Sequence, residues 1–79
     1  MTSTTTRPPL TEKQLSLLLW IRRYIAERGY APSFQDIAAA FGFASRNAAH
    51  GHVLVLKRKG YLAHDPNVAR SIREVADGN

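Results

Sequence analysis

At 79 residues the chain has room for one small domain, which buries only about 60% of the surface its unfolded form exposes and leaves no second lobe to wall an active-site cleft. The absence of cysteine excludes a disulfide framework and a thiolate zinc site, which fits a reducing, cytoplasmic setting, while the longest apolar run, Leu17 to Ile21, is too short to span a bilayer and the opening MTSTTTRPP lacks an apolar signal core. A formal net charge of +5 favours a polyanionic partner, because a basic surface concentrates phosphate and speeds encounter.

Residues 1–9 are rich in Ser and Thr and close in Arg7-Pro8-Pro9, the composition of a disordered arm. A single domain is expected over residues 10–75, with a flexible tail at 76–79. A first helix opens at Thr11, where Gln14 completes a capping box and Leu10 takes the staple position. Leu17, Leu18, Ile21 and Ile25 form its core stripe and Gly29 ends it. Leu19 falls outside the stripe, and with Trp20 it makes the apolar surface broader than one packing partner needs.

Pro32-Ser33 followed by Asp36 announces a second helix, with Ile37, Ala38 and Phe41 as its buried face. Gly42 supplies a left-handed stop and Phe43 packs back across the turn. Ser45 then caps a third helix running from Arg46 to about Lys59, with Gly60 as terminator. Ala49, Val53 and Leu56 face its core. After Gly60, Tyr61 to His64 has the composition of a strand, Asp65-Pro66-Asn67 of a turn, and Val68 to Val75 of a returning strand. Isolated hairpins are marginal in water, so these strands must pack Leu62 and Ile72 onto the helices. The expected fold is mainly α: a winged helix-turn-helix, three helices followed by a two-stranded antiparallel wing.

The third helix needs only one face for the core, which leaves Arg46, Asn47, His50 and Gly51 outside near its N-terminal end, where a recognition helix meets base edges. Asn47 is the best candidate for base readout, since its amide both donates to and accepts from an adenine edge. Arg46 offers a fork to phosphate or guanine, Ala48 a methyl for a thymine methyl, and Ser45 a hydroxyl for phosphate or base. Ser33 and Gln35 are placed to hold a phosphate at the start of the second helix. Lys57 and Arg58, with Lys59, end the reading helix, and Arg70 or Arg73 from the wing would reach phosphates or the minor groove. Gly51 costs about 1 kcal/mol of helix propensity relative to alanine. His50 and His52 do not share a helix face, so no metal site or cofactor is expected. The carboxylates fall on different elements, and no nucleophile motif or phosphate-binding glycine loop occurs, so no enzyme is expected. A winged scaffold that binds a larger regulatory protein through Leu19, Leu54 or the arm is the competing reading.

From Leu10 to about Arg73 the chain resembles the N-terminal DNA-binding domain of the LexA family, the SOS-response repressors. The resemblance is carried by Leu10-Thr11 with Gln14, Pro32-Ser33 before Asp36-Ile37-Ala38, Phe41-Gly42-Phe43, Ser45, Asn47-Ala48-Ala49, His52, Leu56, Arg58-Lys59-Gly60, Arg70 and Ile72-Arg73. It implies a repressor that binds a two-fold operator in double-stranded DNA, with Ser45, Asn47 and Ala48 at operator-reading positions. His50 and Gly51 stand where well-known members carry a pair of glutamates, so a different preferred sequence is expected. The family also implies a self-cleaving domain beyond a linker, at the point where this chain ends. Self-cleavage is therefore not expected of it, and a homodimer on DNA would need another contact.

Overall fold

A computed structural model describes residues 9–65 and 68–75 of the chain. The expected arm up to residue 8, the tail at 76–79 and Pro66-Asn67 in the expected turn lie outside the described residues. Three helices, α1 (Glu12–Arg28), α2 (Phe34–Phe41) and α3 (Arg46–Arg58), precede two strands, β1 (Leu62–Ala63) and β2 (Arg73–Glu74). This is the expected winged helix-turn-helix order.

Each helix begins where a side chain satisfies its free N–H groups. The Thr11 hydroxyl accepts from the Gln14 N–H at 3.1 Å, and Gln14 Oε1 accepts from the Thr11 N–H at 3.0 Å. Ser33 and Asp36 repeat this exchange at α2, both bonds being 3.0 Å. Ser45 caps α3 by accepting from the Ala48 N–H at 3.2 Å. Gly42 ends α2 at φ 70, a conformation that costs a residue with a Cβ but not glycine. The helix-turn-helix corner is sharp for that reason: the Phe43 N–H donates to the Ala38 carbonyl at 3.0 Å. The Phe43 ring then stacks on His52 of α3 at 4.4 Å. Helix α3 ends in a Schellman motif, with Tyr61 N–H on the Leu56 carbonyl at 2.9 Å and Gly60 N–H on the Lys57 carbonyl at 3.0 Å.

The core forms where α1, α2, α3 and the wing meet. Leu17, Leu18 and Ile21 of α1, Ile37 and Ala38 of α2, Ala49, Val53 and Leu56 of α3, Leu62 of β1 and Ile72 just before β2 are buried together. Burying each large aliphatic side chain stabilises the fold by about 1.5–3 kcal/mol before entropy is counted. Ile25 packs on the edge of this core. Trp20 is covered within the chain by Tyr24 at 5.2 Å and Phe41 at 5.6 Å, whereas Leu15 and Leu19 are each 45% exposed.

The wing is shorter than its sequence suggests. Leu62 pairs with Glu74 and Ala63 with Arg73 in an antiparallel ladder, extended by Val75 N–H on the Tyr61 carbonyl at 2.9 Å. The strand expected over Val68 to Val75 is confined to Arg73–Glu74, because the chain turns at Ala69-Arg70 and Arg70 adopts φ 56. A left-handed residue cannot continue a pleated strand. Ser71 takes over part of the pairing through its hydroxyl, which accepts from Asp65 N–H at 2.9 Å and donates to the Asp65 carbonyl at 3.1 Å. The guanidinium of Arg22 holds the Glu74 carboxylate through Nε at 3.1 Å and through Nη2, and so ties β2 to α1.

Candidate nucleic-acid interface

The buried faces of Ala49, Val53 and Leu56 fix the rotation of α3 about its axis. Because 3.6 residues make a turn, that rotation turns Ser45, Arg46, Asn47 and Gly51 outward, and all four are exposed. The cap leaves Ser45 at the entrance of the helix with its hydroxyl engaged by Ala48 N–H. Ala48 is half-buried behind them. No side chain of α3 in its first turn is acidic, so the positive end of the helix dipole faces solvent uncompensated by its own residues.

A groove of about 710 Å³ runs along α3 from its N-terminal cap to its last turn, lined by Phe34, Ser45, Arg46, Asn47, His50, Leu54, Lys57 and His64. Of the residues expected at the interface, Ser45, Arg46, Asn47, His50 and Lys57 meet here. A second recess of about 250 Å³ adjoins it on the wing side, where Ser33, Arg46, His64, Arg70 and Ser71 are among the lining residues. Gln35 is exposed in the first turn of α2, and Ser33 is half-buried with its hydroxyl committed to the cap. Arg58 is exposed in the last turn of α3. Arg73 keeps a loose pairing with Asp65 at 3.9 Å, both side chains being about 60% exposed.

Two expected contacts take on different geometry. His50 is not a free outward side chain: its ring lies 4.8 Å from that of Phe34 and 5.7 Å from that of His64. Arg70 is directed onto the helices, where Nη1 donates to the Ala31 carbonyl and to Asp36 Oδ2, each at 3.0 Å. Lys59 is likewise engaged, its Nζ donating to Gln14 Oε1 at 2.8 Å and to the Pro9 carbonyl at 3.0 Å.

The sequence does not single out His64 or Phe34 as part of the groove, since their meeting depends on the angle at which the wing folds over α3. His64 is buried, and its Nδ1 has no hydrogen-bond partner among the described residues. Burial lowers its pKa below the ordinary value, and the electrostatic influence of Lys57, His50 and Arg73 acts in the same direction against the opposing Asp65. The Asp36 carboxyl is also held below its usual range, first by the Ser33 backbone N–H and then by Tyr24, the Ser33 hydroxyl and Arg70. Among the described residues no group of three or more His, Asp or Glu is arranged to hold a metal ion, and no helix is long and apolar enough to cross a membrane.

Comparison with known proteins places this geometry in context. A family model described as the LexA DNA binding domain matches residues 7–71. The LexA repressor of Desulfitobacterium hafniense (strain DSM 10664 / DCB-2) is 39% identical over 72 residues, which are 91% of this chain and 35% of that protein. LexA repressor 2 of Pseudomonas putida is 48% identical over 64 residues, 81% of this chain and 32% of its own length. The LexA repressor of Thermosipho melanesiensis is 48% identical over 63 residues, 80% of this chain and 31% of its own length. The chain thus spans about a third of the length of these curated relatives.

Proposed function

The chain belongs to the LexA DNA-binding-domain family, and from that premise we propose that it binds double-stranded DNA in a sequence-dependent way and acts in the cytoplasm as a transcriptional repressor. The observation that carries this reading is the exposure of Ser45, Arg46 and Asn47 on the first turn of a helix whose opposite face is buried. A rigidly seated helix can hold an amide against one base edge and not its neighbour. Asn47 is assigned to an adenine edge, Arg46 to guanine or phosphate, Ala48 to a thymine methyl, and Ser45 to the backbone or a base. Ser33 and Gln35 at the start of α2, with Lys57, Arg58 and Arg73, are assigned to flanking phosphates.

The relatives named above are called repressors, and by analogy the target is taken to be a two-fold operator occupied by two copies of the chain. One copy on a half-site neutralises few phosphates, whereas paired sites add a second set of contacts at high effective concentration. His50 and Gly51, one turn beyond Asn47, are assigned to the part of the operator in which this chain differs from its family. A second reading, docking of a regulatory protein on α1, draws on Leu15 and Leu19, which lie four residues apart and are each 45% exposed.

Selection from a random duplex pool, followed by titration of the selected site with wild type and N47A, tests the proposal. An inverted repeat is expected, with N47A losing about 1–3 kcal/mol of discrimination at one base pair in each half-site. A pool that shows no enrichment would instead favour the protein-docking reading.

A further inference from the structure

Arg70 sits at the turn of the wing, and its guanidinium gathers groups from three separate parts of the helical body. Besides the bonds to Ala31 and Asp36, its Nη1 lies 3.4 Å from the Tyr24 hydroxyl. The guanidinium also lies over the Tyr30 ring, 5.0 Å from its centroid. Asp36 is the hub on the helical side: the same Oδ2 accepts from Tyr24 at 3.1 Å and from the Ser33 N–H at 3.0 Å. Helix α1, the connection to α2, the first turn of α2 and the wing are therefore joined at one guanidinium. The backbone of Arg70 stands at φ 56, the only left-handed residue besides glycines among the described residues. A turn that needed only to bend would be served at less cost by glycine or asparagine. What arginine adds at this position is the reach of its side chain to Asp36 and Ala31.

We propose that Arg70 is a positioning residue for DNA binding, a latch that sets the wing against the reading head without itself neutralising a phosphate. The inference rests on the DNA-binding reading above and changes the role that the basic sequence of the wing suggests for this residue. The latch acts through geometry. With the wing fixed to α1 and the start of α2, the groove between His64 and Arg46 keeps one width, and Arg73 is presented at a fixed place relative to Asn47. The hydrogen bonds of Arg70 to Tyr24, Ala31 and Asp36 all run through Nη1, and the charge of the guanidinium is already paired with the Asp36 carboxylate.

The latch and a phosphate contact differ in their salt dependence. Each neutralised phosphate contributes about 0.9 to the slope of log K against log salt concentration. The test titrates the 79-residue chain and its R70A, R70K and D36N variants against the selected duplex over a salt series, with circular dichroism at the same temperature showing that each is folded. R70A is expected to bind about 2- to 30-fold more weakly at every salt concentration with its slope unchanged. R70K restores the charge but not the reach of Nη1 or the guanidinium plane over Tyr30, so it is expected to recover little. D36N retains a carbonyl for the Ser33 N–H yet loses the ion pair, and it should weaken binding in the same direction, with no further loss in the R70A/D36N double variant.

A slope reduced by about 0.9 in R70A, with affinity recovered in R70K, would overturn the latch in favour of a phosphate contact, and so would wild-type affinity in R70A. If R70A does not fold, R70K and D36N decide by the same criteria. Wild type without any preference for the selected duplex would overturn the DNA-binding reading instead. The latch would then be judged by amide hydrogen exchange at Val75, which should be faster in R70K than in wild type if Arg70 holds the wing and unchanged if it does not.

Discussion

Gly51 is exposed on α3, and a Cβ built on it meets nothing within 4 Å. Nothing inside the fold therefore requires glycine there, while helix propensity opposes it. G51A is expected to stabilise the free protein by about 1 kcal/mol, a rise of about 4–8 °C in the melting temperature of a domain this small; an unchanged or lower value would mean that the helix needs the glycine for itself. His64 carries the opposite kind of information. Its folded pKa is lowered chiefly by burial, so the neutral ring is favoured in the fold. The resulting stability is present above the unfolded value of about 6.5 and is lost as pH falls below it toward the folded pKa. Urea midpoints are expected to be lower at pH 5 than at pH 8, and H64F should flatten that difference. An equal pH dependence in H64F would assign the effect to another group. The exposure of Asn47 and Gly51 was legible from helical period alone, but the burial of His64 against His50 was not, because it is set by contacts between residues fourteen positions apart whose angle no local pattern fixes.

At the scale of elements, the boundaries that side chains enforce are the ones the sequence shows most clearly. Thr11 with Gln14 and Ser33 with Asp36 form the reciprocal caps that their spacing predicts, and Gly42 and Gly60 both lie in the left-handed region. Replacing Ser33 with alanine leaves the Asp36 N–H without its acceptor and is expected to cost about 1 kcal/mol in denaturant-derived stability. A loss well below that would mean that water caps α2 as well as the hydroxyl does. The wing was legible in kind and not in extent. Val68 to Val75 has the composition of a strand, yet Arg70 turns left-handed where its side chain meets Asp36, thirty-four residues earlier, and Ser71 bonds Asp65 through its hydroxyl. A long-range contact there overrides local β preference.

For the whole molecule, the total of eleven Lys and Arg overstates how many cations are open to a partner. Arg22 holds Glu74, Arg23 pairs with Glu27 at 3.0 Å, Lys59 closes on Gln14, and Arg70 is bound to Asp36. Arg46, Lys57 and Arg58 lie on α3 and Arg73 on β2, and under the proposed reading these are the charges assigned to phosphate. Composition alone pointed to a polyanion, but only the fold separates the cations that hold elements together from those around the reading helix. The most direct measurement compares the affinity of the chain for its selected duplex and for a shuffled copy at two salt concentrations. Phosphate contacts from the α3 side should weaken both complexes as salt rises, while the preference for the selected duplex persists, because base contacts release few counterions. Equal affinity for the two duplexes at both salt concentrations, or binding that salt does not weaken, would contradict a DNA-reading role.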